Sequence, residues 1–522
     1  MSDINKVKND LWEAANKLRA ESNLKTAEFS VPVLGLIFLR YADFKFSEAK
    51  QKFDTELKNL SERRRASFSE LSWFHDKGIL YLKEEARFSY LLNLPESEDL
   101  GKKLQDAMSS IEQDNLSLKD VLPKNFGRIE KKLLFALMKI FSKMKIEDVE
   151  GDAFGKIYEY FLGKFASSEG QRGGEFFTPT SIVRLIVEVL KPINGSLFDP
   201  ACGSGGMFVQ SAEFIKRRHE IPNDKISIHG QEKTEETVKL CKMNLAVHGL
   251  EGDIKLGNTF YDDEHKSVGK FDFVMANPPF NVSGIDKERI KGDKRYCLGI
   301  PKVDNANYLW IQDFYTSLND NGRAGFVMAN SASDARQSEQ DIRAKIVQAG
   351  AVDVMISVGS NFFHNVTLPC TLWFFDKGKI KTERKNKTLF LDVREIYNQI
   401  DRAHREFTES QIEHVANIVK LYRDDEPTFE FCDKKAFEAQ FPKLKYRDIA
   451  GLCKVATIEE IEAQNYSLNA GRYVGTTEAI AQDYVFEERL KELNDELVKL
   501  NSESRDLETK ITHNINQLLK NL

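Results

Sequence analysis

Apolar residues recur along the first part of the chain at the spacing of helix faces. Leu11, Ala15 and Leu18 fall on one face, and the run 133–141 places several apolar side chains on another. Residues three and four apart are neighbours on a helix, and strand-like alternation is scarce here. The pattern therefore predicts an N-terminal α-helical domain over residues 1–145.

Between residues 146 and 395 the pattern changes to short apolar runs that alternate with helical segments. This alternation is typical of an α/β domain with a mostly parallel, Rossmann-like sheet. The predicted strands are residues 196–199, 226–231, 253–256, 271–276, 324–329, 352–358, 370–375 and 388–391. The region 396–478 is mixed and polar, and its pattern predicts no particular fold.

Near the C-terminus, apolar residues follow alternating spacings of four and three. The positions are Phe486, Leu490, Leu493, Leu497, Leu500, Leu507 and Ile511, with Ser504 in the remaining place. Such a seam is typical of a helix that packs on another helix. We expect residues 479–522 to form a C-terminal helix for subunit assembly. A helix folded back on its own domain would show the same pattern, and that alternative stays open.

Composition bounds the function without deciding it. The chain has 522 residues, of which 30% are charged and 41% hydrophobic, values that are ordinary for a soluble protein of several domains. The net charge is −6, whereas a protein that grips nucleic acid alone is more often basic. Basic residues concentrate at 287–295. Acidic residues lie between them, so an ordinary solvated loop explains this run as well as a nucleic-acid-binding cluster does.

The cysteines and the apolar runs add two exclusions. The six cysteines are scattered without a Cys-x-x-Cys pair, which argues against zinc and against disulfides and favours a reducing cytoplasm. The most apolar run, residues 31–39, is too short to span a bilayer, so no membrane partner is expected.

A glycine-rich turn follows the first predicted strand. Residues 199–206 read Asp-Pro-Ala-Cys-Gly-Ser-Gly-Gly, and an apolar, helix-like run comes next. Glycines let the backbone approach a ligand and adopt positive φ. The spacing differs from the dinucleotide fingerprint and better fits the turn that wraps S-adenosylmethionine, which has no pyrophosphate. The candidate cofactor-binding residues of this turn are Asp199, Ala201, Gly203, Ser204, Gly205 and Gly206.

The strand predicted at 271–276 ends at the sequence Asn-Pro-Pro-Phe. Neither proline can donate a backbone hydrogen bond, and both have a fixed φ, so the segment forms a rigid ledge. An amide, free carbonyls and a ring on that ledge suit a planar base held by its exocyclic amine. Without other motifs, the tetrapeptide would be explained equally well as the ordinary end of a strand. With the glycine turn upstream, we predict that Asn277, Pro278, Pro279 and Phe280 are catalytic.

Further candidate cofactor residues end the next two predicted strands. Glu232 ends the second strand, where a carboxylate can hold a ribose diol. The alternative for Glu232 is a solvated acid at the N-terminus of a helix over 234–248. Asn258 and Thr259 follow the third strand, and Asn258 is placed to reach an adenine ring, although Gly-Asn is also an ordinary turn sequence.

Together these segments resemble the amino-methylating DNA methyltransferases, and their flanks narrow the resemblance to the modification subunit of type I restriction–modification systems. The flanking segments that match are residues 11–19, 33–41, 174–179, 305–310 and 465–474. The resemblance covers nearly the whole chain and is least specific at 45–140 and 375–460. It implies S-adenosylmethionine as the cofactor, no metal, and methyl transfer to N6 of adenine in double-stranded DNA.

The resemblance also implies residue roles and partners. Phe177, Thr178 and Pro179 would line the methionine side of the cofactor pocket. Phe363 would contact the base beside Phe280, with Phe362 as the adjacent alternative. Sequence recognition would belong to a separate DNA specificity subunit, bound by two copies of this chain through their C-terminal helices. A restriction subunit is a further expected partner.

The expected chemistry rests on positioning. Asn277 Oδ1 and the Pro278 carbonyl would each accept one N–H of the base amine, which exposes the nitrogen lone pair for an in-line displacement. The base must first leave the DNA stack, and Phe280 would then stack on it. Two other interpretations stay open. One is a catalytically weak scaffold that clamps DNA, and the other is an amino-methyltransferase for cytosine N4, RNA or a protein glutamine.

Overall fold

The computed structural model describes residues 4–21, 24–61, 68–143, 153–168, 178–363, 368–401 and 404–476, together with part of a helix between residues 490 and 511. The chain divides into two compact units, Met1–Val474 and Gly475–Leu522. Among the described residues, no helix is long and apolar enough to cross a membrane.

The N-terminal part of the first unit is helical, as predicted. The helix Thr26–Asn59 buries the apolar run 33–39, and Leu11, Ala15 and Leu137 join the same core. The described helices of this part are Ile4–Glu21, Thr26–Asn59, Glu70–Asp76, Phe88–Leu92, Leu100–Asp114, Lys131–Ser142 and Ala153–Ser168. The boundary of this part at residue 145, like the other predicted domain boundaries, stays a prediction.

A single large sheet organises the rest of the first unit. Its strands are β1 Gly195–Asp199, β2 Ile226–Glu232, β3 Gly252–Leu256, β4 Phe271–Ala276, β5 Leu318–Ala329, β6 Val352–Val358, β7 Cys370–Asp376, β8 Lys387–Asp392 and β11 Cys453–Thr457. A separate small pair consists of β9 Asn398–Gln399 and β10 Arg405–Glu406. The order in the large sheet is β11-β8-β6-β7-β5-β4-β1-β2-β3.

The strand directions bring the candidate site together. Strands β3, β2, β1, β4 and β5 are parallel neighbours, whereas β7 runs antiparallel between β5 and β6. Strand β8 is parallel to β6, and β11 is antiparallel to β8. The predicted mostly parallel α/β fold is confirmed. Because parallel strands end at the same edge of a sheet, the carboxyl ends of β1 to β4 lie side by side.

The predicted strands agree with the observed ones to within one residue, except at β5. The first half of β5, residues 318–323, is polar and lies beside a register shift between Phe271 and Phe273. Strand β11 is not predicted at all. It is a short edge strand in the polar region, and its burial does not alternate along the chain.

Helices cover both faces of the sheet. Leu197 and Phe198 are consecutive in β1, yet they belong to different apolar cores, because neighbouring side chains of a strand point to opposite faces. The described helices after residue 178 are Thr180–Leu190, Gly206–Arg217, Pro222–Lys225, Glu235–Val247, Asn307–Ser317, Ser338–Gln348, Glu409–Tyr422, Lys434–Gln440 and Ile458–Ala463.

A buried ion cluster joins the polar region after β8 to the sheet. Asp353 of β6 is fully buried and accepts from Arg423 Nη2 at 2.8 Å and from Arg384 Nη1 at 2.5 Å. Burial works to raise the pKa of Asp353, but the charges of Arg423, Lys379 and Arg384 outweigh it and lower that pKa. The carboxylate is therefore ionised in the folded protein.

The second unit contains described helical residues between 490 and 511. Leu490, Leu497, Leu507 and Ile511 are each more than half exposed. The remaining apolar positions of the predicted seam, Phe486, Leu493 and Leu500, lie outside the described residues. An exposed apolar series is compatible with a helix that packs on another helix, and the assembly role stays a prediction.

Candidate active site

The glycine turn connects the end of β1 to the helix Gly206–Arg217. Asp199 is only 2% exposed, and its Oδ1 accepts the Ala201 N–H at 2.9 Å. Burial raises the pKa of Asp199 well above its ordinary value, and the nearby Glu232 raises it further. Gly203 has φ of 51°, a left-handed conformation that glycine adopts without penalty. The turn thus curls around a buried carboxylate.

Gly205 is required by its neighbours on the protein side of this turn. Its φ is 82°, and an added Cβ would lie 2.9 Å from Cys241 Sγ in the helix Glu235–Val247. The explanation from sequence, close approach to a ligand, is therefore incomplete at this position. At Gly206, by contrast, an added Cβ would meet nothing within 4 Å, so the open side of the turn lies there.

Glu232 closes the turn from the neighbouring strand. Its Oε2 accepts the Gly203 N–H at 3.1 Å, and its Oε1 accepts the Lys233 N–H at 2.7 Å. Burial raises the pKa of Glu232 even though these backbone donors oppose the shift. The N-cap of the following helix is Thr234, and Glu232 is 9% exposed, so the alternative of a solvated helix-capping acid is wrong.

The loop after β3 lies beside the same turn. Thr259 Oγ1 donates to the Pro200 carbonyl at 2.6 Å, which ties this loop to the residue after Asp199. Asn258 Oδ1 accepts the Phe260 N–H at 3.2 Å, so this side chain already makes a hydrogen bond within its own turn. Thr259 is thus placed close to the predicted cofactor corner, and an adenine contact by Asn258 stays a prediction.

The Asn-Pro-Pro-Phe loop follows β4 directly. Asn277 Nδ2 donates to Thr178 Oγ1 at 3.0 Å. The other amide atom, Asn277 Oδ1, is buried and has no hydrogen-bond partner among the described residues. A buried acceptor without a donor costs about 1–3 kcal/mol, so the site is built to receive an N–H group. Pro278 beside it is buried.

Two of the three residues expected on the methionine side of the pocket are described by the structure. Thr178 contacts Asn277, and Pro179 is the N-cap of the helix Thr180–Leu190. Phe177 lies outside the described residues. The hydroxyl of Thr178 therefore fixes the Asn277 amide so that Oδ1, and not Nδ2, remains free.

An asparagine cluster holds the chain just after Phe280. Asn281 adopts φ of 56°, and its N–H donates to Asn307 Oδ1 at 2.9 Å. In return, Asn281 Oδ1 accepts from Asn305 Nδ2 at 3.0 Å and from Asn307 Nδ2 at 2.9 Å. In the sequence, residues 305–310 stand out only as a family match, and no local pattern predicts this contact. Its local signal is an asparagine after Pro-Pro-Phe, a residue type that tolerates positive φ.

The two candidate base-contacting aromatics occupy similar positions. Phe280 and Phe363 are both partly buried and pack on the same core. Phe362 is only 3% exposed, and its ring centroid lies 4.5 Å from that of Phe407. Of the adjacent pair, Phe362 is therefore the core residue and Phe363 is only partly buried, and contact of Phe363 with a base stays a prediction.

The basic run 287–295 is less free than its sequence indicates. Arg295 is 1% exposed, with its guanidinium on Asp293 at 2.7 Å and on the Thr259 carbonyl. Lys287 donates to two backbone carbonyls, whereas Lys291 and Lys294 are exposed. Arg295 thus supports the loop that carries Thr259 and is not part of a solvent-facing basic surface.

Asp313 faces Arg295 from the helix Asn307–Ser317. Its Oδ1 lies 3.8 Å from Arg295 Nη1, and burial raises the pKa of Asp313 to about 7 even though the Arg295 charge lowers it. Asp313 lies behind the site and packs against its supporting arginine.

Known protein families and curated relatives show what this chain is similar to. Residues 149–482 match the N-6 DNA methylase family, and residues 7–141 match the HsdM N-terminal domain. The chain belongs to the N-6 DNA methylase family. The type I restriction enzyme MjaIX methylase subunit of Methanocaldococcus jannaschii is 38% identical, over 96% of this chain and 90% of that protein. The HindI methylase subunit of Haemophilus influenzae is 36% identical, over 80% of this chain and 93% of that protein.

A solved structure agrees with the fold of this N-6 DNA methylase. The type I restriction-modification methyltransferase subunit of Streptococcus thermophilus has a TM-score of 0.74 and 21% identity, and covers 91% of this chain and 100% of its own. This likeness shows the fold, and the two relatives above 30% identity place the chain with the methylase subunits of type I restriction enzymes, as its motifs predicted.

Proposed function

We propose that this N-6 DNA methylase transfers a methyl group to N6 of an adenine flipped out of double-stranded DNA, as the modification subunit of a type I restriction–modification complex. The observation that carries the proposal is the buried Asn277 Oδ1, which lacks a donor among the described residues. An exocyclic amine supplies the missing N–H. The free acceptor follows β4, at the sheet edge where β1 and β2 end in Asp199 and Glu232.

The residues at this edge fit S-adenosylmethionine. Two buried carboxylates with raised pKa values, Asp199 and Glu232, suit a ligand that brings positive charge and hydroxyl donors. The open side of the turn at Gly206 leaves room for it. Asp199, the turn from Ala201 to Gly206, Glu232 and Thr259 would hold the cofactor, with Phe177, Thr178 and Pro179 beside its methionine end. When bound, S-adenosylmethionine supplies an electrophilic methyl group on a cationic sulfur.

The protein's own contribution is to orient the amine. Asn277 Oδ1 accepts one amine N–H, and the Pro278 carbonyl accepts the other, because the fixed φ of the two prolines holds this backbone segment rigid. Both acceptors are fixed in advance, since Thr178 holds the Asn277 amide and the asparagine cluster holds the chain after Phe280. Preorganised dipoles of this kind need no reorganisation as charge develops on nitrogen.

The aromatic pair holds the base itself. Phe280 would stack on one face of the base and Phe363 would contact it as well, which requires the base to leave the duplex. Both side chains are partly buried against the same apolar core, which supports this proposal. The amine chemistry of adenine N6 and cytosine N4 is alike, so the choice of adenine rests on the family to which the chain belongs.

The partners follow from charge and from the C-terminal helix. Because the net charge is −6 and Arg295 is buried, a specificity subunit would supply most of the DNA-binding surface. Two copies of this chain would bind one specificity subunit, each through its exposed apolar seam. A restriction subunit completes the proposed complex, and the cytoplasm is its proposed location.

Mapping of modified bases in the host genome tests the proposal. Deletion of this gene should remove N6-methyladenine from one class of asymmetric sites, and a plasmid copy should restore it. A plasmid copy that carries Asn277→Ala is the matched control and should restore nothing. Loss of N4-methylcytosine in place of N6-methyladenine, or no change in DNA methylation on deletion, would reject the assignment.

A further inference from the structure

Two histidines and an aspartate meet on one face of the sheet, away from the residues proposed for methyl transfer. His229 of β2 is the register partner of Asp253 in β3, so their side chains are neighbours across two parallel strands. His265 comes from the segment between β3 and β4 and packs over them. One ligand atom from each of the three side chains can be chosen so that all lie within 4.8 Å of one another.

Each imidazole is oriented by its outer nitrogen. His265 Nε2 lies 2.8 Å from the Gly230 carbonyl, which can only accept, so Nε2 carries the proton and Nδ1 has a free lone pair. That Nδ1 lies 3.7 Å from Asp253 Oδ2. A ring N–H on a backbone carbonyl is the arrangement that fixes the tautomer of a metal-binding histidine.

His229 comes from the strand, and its contact with a serine does not fix the tautomer, because a hydroxyl can donate or accept. The His229 Nε2 lies 3.0 Å from Ser227 Oγ, and the His229 Nδ1 is buried without a hydrogen-bond partner among the described residues.

We propose that His229, Asp253 and His265 bind one divalent transition-metal ion, with Zn²⁺ as the best match. Two imidazoles and one carboxylate are ligands that Zn²⁺ prefers. Ligand atoms around a tetrahedral zinc lie about 3.3 Å apart, so the cluster would contract from 3.7 Å between His265 and Asp253 and from at most 4.8 Å between the other ligand atoms. His229 and Asp253 line a cleft of about 980 Å³, which gives a metal access from solvent and leaves a position for water.

Two lysines near the cluster do not block it. Lys255 Nζ lies 3.6 Å from Asp253 Oδ2, but both side chains are more than one-third exposed, and such surface pairs contribute little. Lys270 Nζ donates to the His265 backbone carbonyl and not to its ring. Displacement of Lys255 by a doubly charged ion is therefore favourable in electrostatic terms.

The consequence of binding is structural. His265 ends the loop that begins at Gly257 and carries Thr259, whereas Asp253 and His229 belong to the sheet. A bound ion would pin this loop to β2 and β3 behind the proposed cofactor corner. The ion takes no part in methyl transfer, so its presence can be tested without measuring methylation.

Titration of the metal-stripped full-length chain with Zn²⁺ and with Co²⁺ tests the site. Calorimetry should give one Zn²⁺ per chain, and Co²⁺ should give the visible d–d bands of a four-coordinate nitrogen and oxygen site. Asp253→Asn, at an exposed position, should weaken Zn²⁺ binding by at least about 100-fold. His265→Gln keeps a donor for the Gly230 carbonyl and should do the same. Zn²⁺ should raise the melting temperature of the native chain and not that of either variant.

His219→Asn is the matched control, because His219 is exposed at φ of 60°, a conformation that asparagine tolerates. It should bind Zn²⁺ as the native chain does. Unchanged affinity in folded Asp253→Asn would overturn the proposal. So would a thiolate-to-cobalt charge-transfer band, which would place the ion on cysteine, or the absence of stoichiometric binding by the native chain.

Discussion

Replacement of Asn277 by alanine separates the catalytic role of this side chain from its structural one. The amide makes one described hydrogen bond, from Nδ2 to Thr178 Oγ1 at 3.0 Å, and leaves Oδ1 buried without a partner. Loss of the bond removes about 0.5–1.5 kcal/mol of stability. Loss of the unpartnered acceptor returns about 1–3 kcal/mol. The free energy of unfolding should therefore stay close to that of the native chain or rise slightly.

Turnover should respond in the opposite direction. One preorganised group that meets developing charge contributes about 10²–10³-fold to kcat, or about 2.7–4 kcal/mol. Asn277→Ala should lower kcat by at least this factor and leave S-adenosylmethionine affinity nearly unchanged, because the side chain acts on the base amine. Single-turnover methylation of duplex DNA with the specificity subunit measures the first quantity, and urea denaturation measures the stability.

Thr178→Val is the companion variant. It keeps the volume of the side chain but leaves Asn277 Nδ2 without its acceptor, so it should cost about 1–3 kcal/mol of stability. Its kcat should fall less than that of Asn277→Ala, because Oδ1 is retained. A fall of more than about 3 kcal/mol in the free energy of unfolding of Asn277→Ala would refute the reasoning about the free acceptor. So would a kcat of this variant within about tenfold of the native value.

Four further changes test other parts of the account. Gly206→Leu should weaken S-adenosylmethionine binding by calorimetry at unchanged melting temperature, because its Cβ enters open space; normal affinity would remove the turn from the cofactor site. Asn307→Ala should lower kcat about 10- to 100-fold at unchanged cofactor affinity, since it frees the chain after Phe280; a normal kcat would make the asparagine cluster structural only. Asp353→Asn should lower the free energy of unfolding at pH 7 by about 3–5 kcal/mol. Because the folded-state pKa of Asp353 lies below 3.8, that loss should persist above the unfolded pKa and shrink only as pH falls through the folded pKa in denaturation curves; a pH-independent difference would contradict this. Leu497→Lys should abolish co-purification with a specificity subunit and leave cofactor binding intact; continued co-purification would favour a helix that packs on its own domain.

The sequence predicts the site as far as local pattern and sheet direction reach. Two of the site residues, Asp199 and Glu232, end predicted strands, and Asn277 follows a third. Each of these strands can be recognised from its own residues alone. Once the strands are taken as parallel, their carboxyl ends must share an edge, and the structure places the three residues there. The buried state of Glu232 comes from the structure, because the sequence left a solvated acid open.

The sequence does not predict contacts between segments that lie far apart along the chain. Thr178 on Asn277, and Asn307 on Asn281, join residues that no local pattern connects. The requirement for glycine at 205 comes from Cys241 on a helix that packs from the side. Sequence likewise places Arg295 in a basic cluster, whereas the fold buries it, because burial of a charged group depends on partners assembled only in the tertiary structure.

Nucleoside mass spectrometry of DNA treated with the purified complex shows whether this chain methylates N6 of adenine and whether Asn277 is needed for it. The chain and its specificity subunit should convert adenine to N6-methyladenine in duplex DNA when supplied with S-adenosylmethionine. The complex with Asn277→Ala should assemble, bind the same DNA and form no methylated base above background. Formation of N4-methylcytosine by the native complex, or of N6-methyladenine at the native rate by the variant, would contradict the account.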